Sequence, residues 1–99
     1  MLYIRLYTGQ QIRVEKQTIK VKTIDWETTP TVDGFVELEV TTVEGSKRTK
    51  RTMTLQMRED PLILDCYATL CATKISGPAD ALQVQLAIHS EVMLDIEFP

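Results

Sequence analysis

The chain has few of the side chains from which catalytic and metal sites are built. Its 99 residues include one histidine, two cysteines and one tryptophan. The histidine, His89, precedes Ser90, but neighbouring residues of a strand point to opposite faces, so these two side chains cannot act together as base and nucleophile. One histidine and two cysteines also do not make a zinc-site spacing. We therefore expect neither an enzyme active site nor a bound metal or cofactor.

The scarcity of cysteine and glycine excludes two further features. In an extended strand the Cα atoms of Cys66 and Cys71 are separated by roughly 16 Å, more than the roughly 7 Å that a disulfide allows. We expect both to be buried, reduced thiols. The four glycines, at positions 9, 34, 45 and 77, are isolated turn residues and do not form a phosphate-binding loop.

Long hydrophobic runs are also missing, because the run that begins at Leu62 ends at Asp65. Nothing in the chain therefore has the apolar length of a membrane helix or a signal peptide. An apolar fraction of 43% and a charged fraction of 25% are typical of a globular protein in solution. We predict one domain spanning residues 1–99, no membrane partner and a cytoplasmic location, although a virion component would have the same composition.

Residues 34–57 contain the clearest local structure, a β-hairpin. The Gly45–Ser46 dipeptide forms a two-residue loop in which glycine supplies the positive φ. With this loop the apolar residues of both strands share one face, and a slip of one residue would destroy the match. The predicted facing pairs on that face are Val36–Leu55, Leu38–Met53 and Val40–Arg51.

The opposite face of this hairpin carries Glu37 and Glu39 about 7 Å apart. Two such carboxylates could bind a cation or act as acid and base. No third oxygen ligand has a suitable spacing, and Lys50 lies diagonal to Glu39. We therefore interpret this face as a solvated strand surface.

Alternating apolar residues predict a strand over residues 1–7, paired through a three-residue loop and a bulge with residues 11–15. The register would place Ile12 opposite Leu6 and Val14 opposite Ile4.

The apolar phase changes after Val14, which predicts a bulge or tight turn within residues 15–18. A strand from about Thr18 to Trp26 follows, and residues 27–33 are expected to form a loop.

The second half of the chain alternates over two long runs. Residues 62–75 are predicted to form a strand, with a helix after Pro61 as the alternative, since Asp60 could cap it. A turn is expected at residues 76–80. Residues 81–98 alternate throughout, interrupted on the apolar side only by Ser90.

These strands predict an all-β fold: a small antiparallel sandwich or a partly open barrel of about six to eight strands, with one short helix after Pro61 as an option. Drawn straight, residues 81–98 would span roughly 59 Å, whereas a domain of this size is roughly 33 Å across. The run must either bend near His89 and Ser90 or project past the body to be covered by another chain.

The densest functional pattern is a set of four cations at the hairpin tip, Lys47, Arg48, Lys50 and Arg51. Such a tip could contact phosphates or an acidic partner. Lys16, Lys20 and Lys22 would extend the patch if their strand lay nearby, and Tyr3, Tyr7 and Trp26 would have to share its surface for base stacking. The net charge of −3 is a mild argument against a dedicated nucleic-acid protein.

The function that the sequence favours is a non-enzymatic interaction or assembly module that docks to itself or to another protein through strand edges and an apolar face. The expected assembly surface consists of Ile88, Val92, Leu94 and Ile96. The alternative is a nucleic-acid or anion binder that uses the basic tip, and a weaker option is a carrier of a small apolar ligand inside a barrel.

Overall fold

The computed structural model describes residues 1–27, 33–57, 61–65 and 68–98. In this described part the chain forms nine strands and no helix, so the alternative of a short helix after Pro61 is wrong. The strands are β1 (Leu2–Tyr7), β2 (Gln11–Val14), β3 (Gln17–Glu27), β4 (Asp33–Glu44), β5 (Lys47–Gln56), β6 (Leu62–Asp65), β7 (Ala68–Ser76), β8 (Gln83–Ser90) and β9 (Ile96–Glu97).

The strands are arranged in two antiparallel sheets, which confirms the all-β class. The four-stranded sheet has the order β1-β8-β7-β6 and the five-stranded sheet the order β5-β4-β3-β2-β9. The sheets pack as a sandwich and do not close into a barrel. The weaker option, a carrier of a small apolar ligand, depends on a barrel interior, which a sandwich does not provide.

The core fills the space between the inner faces of the two sheets. Side chains with no more than 2% exposure come from both layers, as expected when two half-apolar sheets cover each other. The largest of them are Ile12, Ile19, Leu38, Leu70 and Leu86.

The register of the hairpin formed by β4 and β5 is the one predicted. Val36 faces Leu55 and Leu38 faces Met53, and the Gly45–Ser46 turn closes the hairpin. The φ angle of Gly45 is +61°, a conformation that glycine adopts at little cost.

The predicted pairing of residues 1–7 with residues 11–15 is wrong. β1 pairs with β8, with Ile4 opposite Leu86, whereas β2 pairs with β3 and β9 in the other sheet. The turn after Tyr7 carries the chain from one sheet to the other, and Gly9 N donates to Val21 O at 2.8 Å. In β1 and β2 the alternation assigned the buried side chains to the inner face correctly but could not identify the partner strand.

The change of apolar phase after Val14 is a tight turn, as predicted. Glu15 and Lys16 connect β2 directly to β3, and Glu15 has a φ of +55°. Most of the expected loop 27–33, namely residues 28–32, lies outside the described residues, as do residues 58–60 and the side chain of Trp26.

The run 62–75 is two strands, not one. β6 and β7 pair with each other, with Leu62 opposite Leu70, so the chain reverses between Asp65 and Ala68. The premise of one extended strand over residues 62–75, from which the cysteine separation was derived, is therefore wrong. Cys71 is a half-buried free thiol, and Cys66 lies outside the described residues.

The run 81–98 is also divided, and the division falls where the apolar series is interrupted. β8 ends at Ser90, and the chain crosses to the other sheet, where Val14 pairs with Ile96. Ser90 Oγ accepts a hydrogen bond from Val92 N at 3.1 Å, which stabilises the bend. The turn predicted at 76–80 is present, with Gly77 at a φ of +99°.

Candidate interaction surfaces at the hairpin arm and the sheet edges

The end of the β4–β5 hairpin extends beyond the opposing sheet. Val40 is fully buried, but farther along the same inner face Thr42 is half-buried and Lys47, Thr49 and Arg51 are exposed. We call residues 41–51 the hairpin arm. The molecule measures 45 × 25 × 20 Å and is therefore elongated.

An open groove of about 1080 Å³ lies against the inner face of the hairpin arm. It is formed by the arm, the turn after β2, strand β6 and the link between β8 and β9. We call it the arm groove. Its lining combines basic, acidic, polar and apolar side chains, among them Lys16, Gln17, Glu44, Lys47, Arg51, Leu64, Val92 and Leu94.

The arm groove brings together members of both residue sets that the sequence predicted. Lys47 and Arg51 of the basic tip lie on the same lining as Val92 and Leu94 of the expected assembly surface. Basic side chains beside Val92 and Leu94 can contact a segment that carries both carboxylates and apolar side chains, and Glu15 and Glu44 on the same lining limit where its carboxylates fit.

The remaining predicted residues lie elsewhere. Arg48 and Lys50 are exposed on the outer face of the arm. Ile88 is only 3% exposed and belongs to the core, so it is not on the surface of the folded chain, whereas Ile96 is half-buried in β9.

Gln17 is a buried polar residue on the groove lining. It is 6% exposed, and its Nε2 donates to Thr42 Oγ1 at 3.3 Å. Its Oε1 is buried without a hydrogen-bond partner among the described residues. An unpaired buried amide oxygen is costly, so the Gln17 side chain lowers the stability of the folded chain.

The outer face of the five-stranded sheet carries charges that largely pair with each other. Lys22 Nζ lies 3.4 Å from Glu37 Oε1, and Lys50 Nζ lies 3.9 Å from Glu39 Oε1. The attractive diagonal between Lys50 and Glu39 is therefore confirmed. Because Glu37 and Glu39 are each paired with a lysine, we interpret this face as a solvated strand surface.

Among the described strands, β5 pairs only with β4, so one side of its backbone is an edge of the sheet. Val43 N donates to Lys16 O at 3.1 Å, so the backbone of Val43 points toward β3 and away from β5. Val43 and Arg48 therefore form a non-hydrogen-bonded pair, and the N–H and C=O of Arg48 point to the free edge. By the alternation of the strand, the backbone groups of Lys50, Thr52 and Thr54 also point to that edge.

Phe35, an exposed aromatic residue of the same sheet, lies opposite Gln56, at the far end of the β4–β5 hairpin from the basic tip. Tyr3 and Tyr7 are 56% and 43% exposed, but they lie on β1, in the four-stranded sheet. Since base stacking needs aromatic rings beside the cations, this separation disfavours single-stranded nucleic acid as the ligand of the tip.

The residues considered as catalytic or metal-binding candidates are separate in the described structure. His89 is exposed, whereas the hydroxyl of the half-buried Ser90 is used at the bend. No group of three or more His, Cys, Asp or Glu side chains is placed to hold a metal ion in this part of the chain.

Several groove residues were not predicted from the sequence. Lys16 was named only as an extension of the basic patch, and Gln17 and Leu64 were not named as site residues at all. They converge from the start of β3 and from β6, segments that are far apart in the chain. A buried glutamine in a β-rich run is a weak signal without knowledge of the fold.

In comparisons with protein-family models, curated proteins and solved structures, no match to this chain was found. Where the structure describes the chain, it contains no helix with the length and hydrophobicity needed to cross a membrane.

Proposed function

We propose that this protein is an interaction module that binds an acidic, extended segment of a partner protein as an added strand on the edge of β5. The observation that carries the proposal is the combination of an open backbone edge with the charge of the strand. β5 has ten residues, among them four cations and no acidic residue. A segment that pairs with this edge gains backbone hydrogen bonds and ion pairs together.

The cations of β5 also determine which partner fits. Lysine-rich edges resist pairing with strands of like charge, a common protection of native sheets against aggregation. A second copy of β5 would place cations against cations. With an acidic strand the same contacts are attractive. The edge of β5 therefore disfavours pairing with another β5 and favours a partner that carries carboxylates.

The two faces of β5 call for two kinds of side chain on the partner. Arg48 and Lys50 are on the outer face and fit glutamate or aspartate. On the inner face, a strand added at this edge would place its alternate side chains beside the aliphatic stems of Lys47 and Arg51 and toward the arm groove, where the half-exposed Val92 supplies apolar surface. We therefore expect a segment that alternates acidic and apolar residues.

The other exposed edge of the five-stranded sheet is less suited to this role. β9 has only two residues, Ile96 and Glu97, and pairs with β2 through Val14 and Arg13. An edge this short offers a partner few backbone hydrogen bonds.

The proposal is tested by titrating the protein with a synthetic peptide of alternating glutamate and valine, with the lysine–valine peptide as the matched control. We expect saturable binding of the acidic peptide alone. Thr52→Pro should abolish it, because proline removes an edge N–H while the strand's own hydrogen bonds to β4 remain. Circular dichroism of the variant checks that the fold is kept. Equal binding of both peptides, or full binding by folded Thr52→Pro, would contradict strand addition.

The second candidate function, an anion or nucleic-acid binder, is favoured by the exposure of all four tip cations. It predicts a different pattern in the same variants. Binding of a single-stranded oligonucleotide through phosphates would survive Thr52→Pro, would be lost in the double variant Arg48→Glu, Lys50→Glu, and would fall steeply with salt. If no oligonucleotide binding is seen at low salt, this alternative is eliminated.

A further inference from the structure

β1 forms the exposed edge of the four-stranded sheet, and its backbone is open on the side away from β8. Tyr7 N donates to Gln10 Oε1 at 2.8 Å and Tyr7 O accepts from Gln10 N at 3.0 Å, so the backbone of Tyr7 points away from β8. The carbonyl of Gln85, the partner of Arg5, accepts from Thr73 Oγ1 on β7 at 3.1 Å. Both contacts show that the backbone groups of the odd-numbered residues of β1 point away from β8.

In this arrangement the N–H and C=O groups of Tyr3 and Arg5 point to the free edge. Pairing along the described part of this edge is absent, and Tyr3, at 56% exposure, and Leu2, at 43%, both present apolar surface to solvent. Unlike β5, this strand of six residues carries a single charge, that of Arg5. Like-charge repulsion therefore protects it much less than it protects β5.

We propose that β1 pairs with β1 of a second copy of this chain, in antiparallel orientation around a two-fold axis at Ile4. In this register Tyr3 of each chain faces Arg5 of the other, and the backbone groups of these two residues form the hydrogen bonds. On the inner face Leu2 faces Leu6 of the other copy. The two four-stranded sheets become continuous across the interface.

The chemistry of the strand favours this register over the one centred on Arg5. A shift that centres the axis on Arg5 would oppose the two guanidinium groups, which is unfavourable directly across a ladder. It would also require the backbone of Tyr7, which already bonds to Gln10. The proposed register instead places each guanidinium beside an aromatic ring, a favourable contact. It also covers the exposed part of Leu2 with an apolar partner.

Sedimentation equilibrium on the intact protein tests the proposal. We expect a dimer that dissociates in the micromolar range, and conversion to a monomer by Tyr3→Pro, whose missing N–H lies on the free edge and not in the ladder to β8. Thr52→Pro, at the other edge, should leave the dimer unchanged, so this result is separate from that of the peptide titration. A monomer of 11.3 kDa at high micromolar concentration would overturn the proposal.

A pair of charge variants tests the register without depending on proline. In the proposed dimer Tyr3→Glu faces Arg5 of the other chain and forms an ion pair, whereas Tyr3→Lys meets a like charge, and each contact occurs twice. We expect the lysine variant to dissociate about tenfold more readily than the glutamate variant, or more. Equal weakening by both would show that Tyr3 does not face Arg5 and would overturn the register. A dimer that persists in folded Tyr3→Pro would exclude β1 as the interface.

Discussion

At the scale of single residues, Gln17 is unusual because it is a polar side chain buried beside the apolar core. Its amide is buried, and its one described hydrogen bond joins Nε2 to Thr42 Oγ1. The other amide atom, Oε1, is unpaired among the described residues. A buried polar atom without a partner destabilises the folded state, and such atoms are retained in native proteins when they serve a purpose.

We predict that Gln17→Met raises the free energy of unfolding by about 1 kcal/mol, because removing the unpaired carbonyl oxygen outweighs the loss of one weak hydrogen bond. Urea denaturation measures the change. Thr42→Val is the matched control, since it leaves the whole amide of Gln17 unpaired and should destabilise the protein. A Gln17→Met variant that is less stable than the unmodified protein would show that the amide oxygen is well bonded.

At the scale of elements, the C-terminal run is where the structure separates residues that the sequence grouped together. Ile88 and Val92 were expected to share one assembly surface, because both belong to the same apolar series. The bend after Ser90 leaves Ile88 in the core at 3% exposure and Val92 on the arm groove at 49%.

The two positions should therefore respond differently to truncation. We predict that Ile88→Ala lowers the free energy of unfolding by about 2–5 kcal/mol, the usual result of a cavity in a packed core. Val92→Ala should lower it by less than about 1 kcal/mol, because half of its side chain already contacts solvent. Comparable losses at both positions, measured by urea denaturation, would contradict the placement of the bend.

The elements also show what the sequence could predict and why. The register of the β4–β5 hairpin was predicted correctly because a two-residue loop fixes it from residues that are close in the chain. The reversal between β6 and β7 was missed because the alternation stays in phase across it. Leu62, Leu64, Ala68 and Leu70 face the core on both sides of the turn, and a continuous strand would show the same pattern.

The candidate site was predictable only in part, for a similar reason. The cations of the tip are consecutive in the sequence, so their clustering was visible. The approach of Leu64 and Val92 to Arg51 depends on how the two sheets stack and on where the chain crosses between them. Periodicity assigns a residue to a face but does not identify the strand that lies opposite.

At the scale of the whole molecule, the element that extends past the body is the hairpin arm, and the alternative in which residues 81–98 project is wrong. The run 81–98 bends and stays within the sandwich, whereas the hairpin arm extends past it. The projecting surface is basic and belongs to the edge strand of the five-stranded sheet. An exposed basic edge is accessible to an extended partner, and β1 lies in the opposite sheet. Partner binding and self-association would thus use different edges.

The most direct test of the account is amide hydrogen exchange of β5, followed by NMR with and without the glutamate–valine peptide. In the free protein, Arg51 and Met53 should be protected by the ladder to β4, whereas Lys50, Thr52 and Thr54 should exchange freely at the open edge. Bound peptide should protect these three amides and leave the others unchanged. Saturation by the peptide without new protection at these positions would show that it contacts only side chains, and would contradict strand addition at β5.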